Sequence, residues 1–216
     1  MKKSLGQYLL INRQAISAII DALDIEDGDV VVEIGPGTGV LTKELINKKI
    51  QLIAIEKDDA MIDELKRNLG DASSGSVDII KGDATETLND IAARHHKWKL
   101  VGNIPYYITG YLLRILSEIE SKPDIIVLTI QKEVAERIAA EPPKMNLLAA
   151  ITQFWGDIKI IKTLKPSDFS PQPAVNSAIV KLLPQKNRKI PATEYYKFVK
   201  ILFRQPRKTA VNNLSF

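Results

Sequence analysis

Apolar residues in this chain gather into short unbroken runs, and between the runs they recur at helical spacing. Residues 30–34, 52–55, 77–80, 100–102 and 125–130 read as buried strands, each rich in Val, Ile or Leu. The stretches 41–48, 58–69, 86–94, 109–120 and 132–140 predict helices, as does 14–23 ahead of the first run. Gly70 stops the helix at 58–69, and 71–76 is a polar turn. After Pro142-Pro143 a helix is expected near 146–154, then strands at 158–164 and 178–183 with the Pro-rich segment 166–173 between them. Five strand–helix alternations require parallel strands joined by helical crossovers. The expected fold is therefore α/β: a Rossmann-like, doubly wound, mostly parallel sheet of seven strands. Its last two strands, joined by a loop and not a helix, predict an antiparallel hairpin at one sheet edge. Composition changes at Pro184, which divides a domain at 1–183 from a C-terminal segment at 184–216.

Charge sharpens that division. Residues 1–183 carry 22 Lys/Arg against 25 Asp/Glu, a net −3, whereas 184–216 carry eight against one, a net +7. A basic block after a near-neutral domain points to a polyanionic partner, with Arg204, Arg207 and Lys208 as candidate contacts. The chain has no cysteine, which excludes disulfides, thiolate zinc sites and thiol catalysis. Its two histidines, His95 and His96, stand side by side in a polar stretch and read as solvated. The basic start Met1-Lys2-Lys3 has no apolar core after it, so it does not read as a secretory signal. No apolar run approaches the roughly 18–20 residues of a membrane span. A cytoplasmic location is expected by elimination, with no membrane and no metal.

The chemistry-bearing residues sit at predicted strand ends. Glu33-Ile34-Gly35-Pro36-Gly37-Thr38-Gly39 closes the first strand and opens a helix, and glycines there let a ligand approach the backbone. A dinucleotide fingerprint would need Gly where Val40 stands. The segment instead looks like the glycine-rich motif of class I S-adenosylmethionine methyltransferases, with Gly35 and Gly37 as candidate cofactor contacts. Glu56 ends the second strand, 21 residues after Gly35, where a carboxylate can accept both ribose hydroxyls. Asp83 follows the third strand and can accept a hydrogen bond from an adenine amino group; it can equally cap the next helix.

Asn103-Ile104-Pro105-Tyr106 follows the fourth strand. An adenine amino group is a poor nucleophile, because its lone pair is delocalised into the ring. The Asn103 side-chain oxygen and the backbone carbonyl of Ile104 or Pro105 can accept both N6 hydrogens and stabilise charge developing on nitrogen. Proline fixes the loop, and Tyr106 offers a face for a flipped-out base. Phe169, in the stiff loop Phe169-Ser170-Pro171-Gln172-Pro173, is a candidate for the base's opposite face or else a core plug.

Together these residues resemble the ribosomal RNA adenine N6-dimethyltransferases of the KsgA type, over nearly the whole chain. Lys3-Ser4-Leu5-Gly6-Gln7-Tyr8-Leu9-Leu10 is similar to the family's opening motif, Glu33–Gly39 to its glycine loop, and Asn103–Tyr106 to its catalytic loop. Phe169–Val180 resembles its F-x-P-x-P-x-V-x-S-A-x-V segment, and Phe203–Thr209 with Asn212-Asn213-Leu214 resembles its C-terminal motif. The resemblance implies S-adenosylmethionine held by Tyr8, Leu10, Gly35, Glu56, Asp83 and Asn103. It implies dimethylation of two adjacent adenosines in the 3′-terminal hairpin of small-subunit rRNA, within a precursor 30S particle, during late subunit maturation. A monomer is expected. Tyr8 stands where the family carries Asn or His, and the chain stops at Phe216 where members usually continue with a small helical domain. The C-terminal appendage is accordingly expected to be incomplete.

Three rival readings differ in testable ways. An Erm-type large-subunit rRNA methyltransferase shares the Asn103 loop, but Gly6-Gln7 and Arg207-Lys208-Thr209 favour the small-subunit type. A non-catalytic assembly factor fits the basic C-terminus and not the intact Asn103 loop. An NAD-dependent oxidoreductase is disfavoured by Val40.

Overall fold

The computed structural model describes residues 8–70, 75, 77–185, 190–205 and 208–215. Its centre is a seven-stranded sheet. In chain order the strands are β2 (Val30–Ile34), β3 (Gln51–Glu56), β4 (Val77–Lys81), β5 (Lys99–Asn103), β6 (Ile125–Gln131), β7 (Gly156–Leu164) and β9 (Ser177–Pro184). Two short strands that the sequence pattern does not signal, β1 (Leu9–Leu10) and β8 (Phe169–Ser170), form a separate antiparallel pair. Across the main sheet the order is β4-β3-β2-β5-β6-β9-β7. Neighbours from β4 to β6 run parallel, and β9 is antiparallel to both β6 and β7. The late antiparallel pair is thus present at the sheet edge as expected; β9 inserts between β6 and β7, so the earlier strand of the pair is outermost. Burial explains the placement. Ser177–Val180 is buried throughout, as an interior strand requires, whereas β7 exposes Asp157, Lys159 and Thr163. Lysines and a register shift near Ile160 and Lys162 suit an edge that must not recruit another strand.

Helices cover both faces. One face carries α4 (Ala84–Arg94), α5 (Thr109–Glu118), α6 (Lys132–Ile138) and α7 (Leu147–Trp155), whose Leu88, Leu112, Leu116, Ile138 and Trp155 pack on Leu100, Leu128 and Val180. On the other, α1 (Arg13–Ala22) and α2 (Val40–Ile46) bury Ile16, Ile19, Leu41 and Leu45 against Val31, Leu52 and Val101. Between α2 and α4 in the chain, α3 (Asp59–Leu69) buries Met61, Ile62, Leu65 and Leu69 at i, i+1, i+4 and i+8, the stripe that its sequence writes. Beyond Pro184, α8 (Ala192–Leu202) docks by stacking Tyr195 on Phe154 of α7, ring centroids 3.7 Å apart and nearly coplanar. The last helix, α9 (Ala210–Leu214), follows a turn organised by the buried Asn213.

Strand order reverses direction between β2 and β5: from β2 the chain builds outward through β3 and β4, then returns to the other side at β5. In open α/β sheets ligands settle at the carboxyl ends of the strands flanking such a switch. Gly35 leaves the end of β2, and Asn103 is the last residue of β5.

Candidate active site

A cleft of about 430 Å³ opens at that switch point, within the size range of a small-molecule site. Gly35, Gly37, Glu56, Asp83, Asn103, Pro105 and Tyr8 all line it, so seven of the sequence-chosen residues come together here from four strand ends and the N-terminal segment. Gly35 and Gly37 have φ of +65° and +56°, a backbone region costly for any residue with a β-carbon. A β-carbon on Gly37 would also stand 2.9 Å from Leu9 Cδ2, so the end of the Leu9 side chain would have to move aside.

The carboxylates occupy distinct environments. Glu56, buried at the end of β3, accepts at Oε1 from the backbone N–H groups of Lys57 (2.8 Å) and Asp58 (3.0 Å), which fix its orientation. Asp83 caps α4, so the capping expectation holds as well as the placement in the cleft. Its Oδ1 accepts from the Thr85 hydroxyl (2.6 Å) and N–H (2.9 Å), and its Oδ2 accepts from Lys57 Nζ (2.9 Å). The Thr85 hydroxyl and the Lys57 ammonium together hold its pKa down to about 2, so it is ionised at any working pH. Glu33 is different: 1% exposed beneath the glycine loop, it accepts from the Thr42 hydroxyl at 2.8 Å. Burial pushes its pKa up to about 7; the Thr42 bond opposes that shift and the Glu56 charge adds to it.

In the Asn103 loop, Asn103 Nδ2 donates to the backbone carbonyl of Tyr8 at 2.6 Å. A carbonyl can only accept, so this contact settles which end of the amide faces Tyr8 and leaves Oδ1 as the acceptor. Ile104 is buried and anchors the loop in the core, while the Pro105 carbonyl accepts from Ile108 N at 3.2 Å in a single 3-10 turn. Tyr106 is half-buried; its hydroxyl shares a 2.6 Å hydrogen bond with Ser177 Oγ, and its ring lies 5.5 Å from that of Tyr8, tilted by 31°. Burial raises the Tyr106 pKa, so the phenol stays neutral.

Two sequence-chosen residues are placed elsewhere. Leu10 does not line the cleft: its side chain is in the core, and Leu9 stands at the cleft wall instead, because side chains alternate along β1. Phe169 is 2% exposed and packs in the same core cluster, the placement of a core plug beneath its loop. Its pairing partner is Leu10, so the loop that carries it is pinned to the N-terminal segment. Of the basic candidates, Arg204 and Lys208 are exposed between α8 and α9, and Arg207 lies outside the described residues, as does the Lys3–Gln7 motif. Asn213 ties that basic turn: its Oδ1 accepts from Gln205 N at 2.9 Å, and its Nδ2 donates to the Gln205 carbonyl at 3.1 Å.

Sequence reasoning missed Lys57, Tyr107, Ile108 and Ser177. Lys57 follows Glu56 directly and reaches across to Asp83, which a spacing argument does not reveal. Tyr107, 72% exposed at the cleft rim, was detectable as the second aromatic of the Tyr106-Tyr107 pair. Ser177 lies 71 positions from Tyr106, so only the fold joins them. Among the described residues no group of His, Asp and Glu is arranged to hold a metal, and no helix is long and apolar enough to cross a membrane.

Known proteins resemble this chain in sequence and fold. The family model for ribosomal RNA adenine dimethylase matches residues 1–216. Ribosomal RNA small subunit methyltransferase A of Dehalococcoides mccartyi is 36% identical over 218 residues, covering 99% of this chain and 74% of that protein. The protein of the same name from Lactobacillus acidophilus is 37% identical over 227 residues, covering 99% and 77%. Among solved structures, a dimethyladenosine transferase from Plasmodium falciparum superposes with a TM-score of 0.86 at 30% identity, covering 96% of this chain and 75% of that one. The 23S rRNA methyltransferase ErmE shares the fold, with a TM-score of 0.78 at 21% identity, covering 96% and 83%. With a full-length family match and relatives above 30% identity, this chain, with its glycine loop, strand-end carboxylates and Asn103 loop, belongs to the ribosomal RNA adenine dimethylase family.

Proposed function

We propose that this chain transfers methyl groups to N6 of two adjacent adenosines in the 3′-terminal hairpin of small-subunit rRNA, with S-adenosylmethionine as donor. The observation that carries the reading is the Asn103 amide, oriented by its 2.6 Å bond to the Tyr8 carbonyl so that its oxygen remains to accept. The cleft suits the donor: a glycine floor without side chains, Glu56 for ribose hydroxyls and Asp83 for an adenine amino group lie around one space. When bound, S-adenosylmethionine supplies a methyl group on a cationic sulfur.

The chain's own residues then have the following parts. Asn103 Oδ1 accepts one N6 hydrogen. The backbone carbonyl of Ile104 or Pro105 accepts the other; that of Pro105 also receives Ile108 N. Both bonds strengthen as positive charge develops on nitrogen, which is where preorganised acceptors lower a barrier. Tyr106, held by Ser177, stacks on the extruded base and fixes its distance from the donor cleft. Residues 184–216 act as an RNA-docking segment through Arg204, Arg207 and Lys208. The substrate is a precursor 30S particle in late subunit maturation, met in the cytoplasm by a monomer.

Incubation with labelled donor and separate small- and large-subunit precursor particles tests this. Label in small-subunit RNA, mapping to dimethyladenosine pairs, is expected. Label in large-subunit RNA alone would transfer the chain to the Erm-type reading, and donor binding without label in either would favour an assembly factor.

A further inference from the structure

We infer that the Tyr8 ring gives this chain a preference for the cationic methyl donor over its neutral spent product, a role that rests on the methyltransferase reading above. Tyr8 lines the cleft beside Asn103, and its ring also contacts that of Tyr106, which does not line the cleft. It is thus the aromatic group shared by the donor side and the acceptor side. Two restraints hold it there: Asn103 Nδ2 donates to its backbone carbonyl, and its side chain packs against the core cluster that contains Leu10 and Phe169.

Donor and product differ at one centre, a methylated sulfonium against an uncharged thioether, so a device that tells them apart must respond to charge. Glu56 and Asp83 are assigned above to the ribose and adenine, which donor and product have in common. Asp83 is bridged to Lys57, Asp59 to Lys81, Asp58 caps α3 at Ala60 N, and Glu56 accepts from two backbone N–H groups. The Tyr8 ring lies at the Asn103 end of the cleft, and an aromatic face attracts a cation more strongly than it attracts a neutral thioether sulfur. Favouring the donor over the product also hastens exchange between successive transfers, of which a dimethylated base needs two.

The test measures affinities of S-adenosylmethionine and S-adenosylhomocysteine by calorimetry for the parent, Tyr8→Phe and Tyr8→Leu. The phenylalanine variant is expected to keep the donor-to-product affinity ratio. The leucine variant is expected to lower that ratio roughly 3- to 10-fold, with the larger loss on the donor. Should Tyr8→Leu fail to fold, trifluorinated phenylalanine at position 8 keeps the ring's shape while withdrawing its electrons, and the ratio should fall in the same way. Equal weakening of both ligands, or an unchanged ratio, overturns the Tyr8 role alone. A parent protein that binds neither molecule overturns the methyltransferase reading, and this inference with it.

Discussion

At the scale of single residues, Glu33 sets a pH dependence that its strand neighbours do not. Its carboxyl is buried among apolar groups, and its folded pKa of about 7 lies above the usual value near 4.5. A carboxyl raised in this way favours the fold while protonated. The contribution is fully present below about pH 4.5 and lost as pH rises through about 7. By linkage, the ionised form costs on the order of 3 kcal/mol. Glu33→Gln keeps an acceptor for the Thr42 hydroxyl and removes the charge. Its thermal midpoint at pH 8 is expected to exceed the parent's, with the two curves converging toward pH 5. A parent-like pH dependence in the variant would place the titrating group elsewhere. Asp83 is the contrast: on a similar strand end, but partly solvated and paired, its carboxyl titrates near 2 and contributes no such dependence at neutral pH.

At the scale of elements, the reaction loop depends on a strand that comes late in the chain. Ser177 opens β9, and its hydroxyl bonds the Tyr106 hydroxyl at 2.6 Å. Ser177→Ala is expected to cost about 1 kcal/mol of stability and to lower turnover several-fold while donor affinity holds. In a double-mutant cycle with Tyr106→Phe the two losses should be less than additive; full additivity would mean that the hydroxyls do not act together. This dependence also marks what the sequence could and could not reveal. Most of the parallel strands were legible as short apolar runs rich in Val, Ile and Leu, and β4, broken by the exposed Asp78, was legible from its place in the strand–helix alternation. Glu56, Asp83 and Asn103 were legible because consecutive strand ends in such a fold converge on one edge. Ser177 was not, since hydrophobic period says nothing about which distant hydroxyl a tyrosine will meet. Nor was the insertion of β9 between β6 and β7, because chain order favours neighbours in sequence. Phe169 was ambiguous for another reason: an aromatic in a Pro-rich loop can serve a ligand or a core. The two-residue β1–β8 pairing that decided for the core is too short to leave a pattern.

At the scale of the whole molecule, the cleft and the basic segment are separate features of the chain. The cleft sits at the strand ends of a domain with net charge −3, and the basic segment beyond Pro184 carries +7. Reversing Arg204 and Lys208 to Glu is expected to weaken RNA binding and flatten its salt dependence, with a slope smaller by about 0.7–0.9 for each phosphate no longer neutralised. Donor affinity should not change, because neither residue lines the cleft. An unchanged slope would remove these two bases from the interface. In the proposed mechanism the transfer rests on the Asn103 amide, and the most direct measurement is single-turnover methylation of small-subunit precursor particles by Asn103→Ala, with donor affinity measured in parallel. The account predicts that the rate of transfer falls roughly 100- to 1000-fold, with donor affinity within a few-fold of the parent's. Equal losses in both, or a rate close to the parent's, would contradict it.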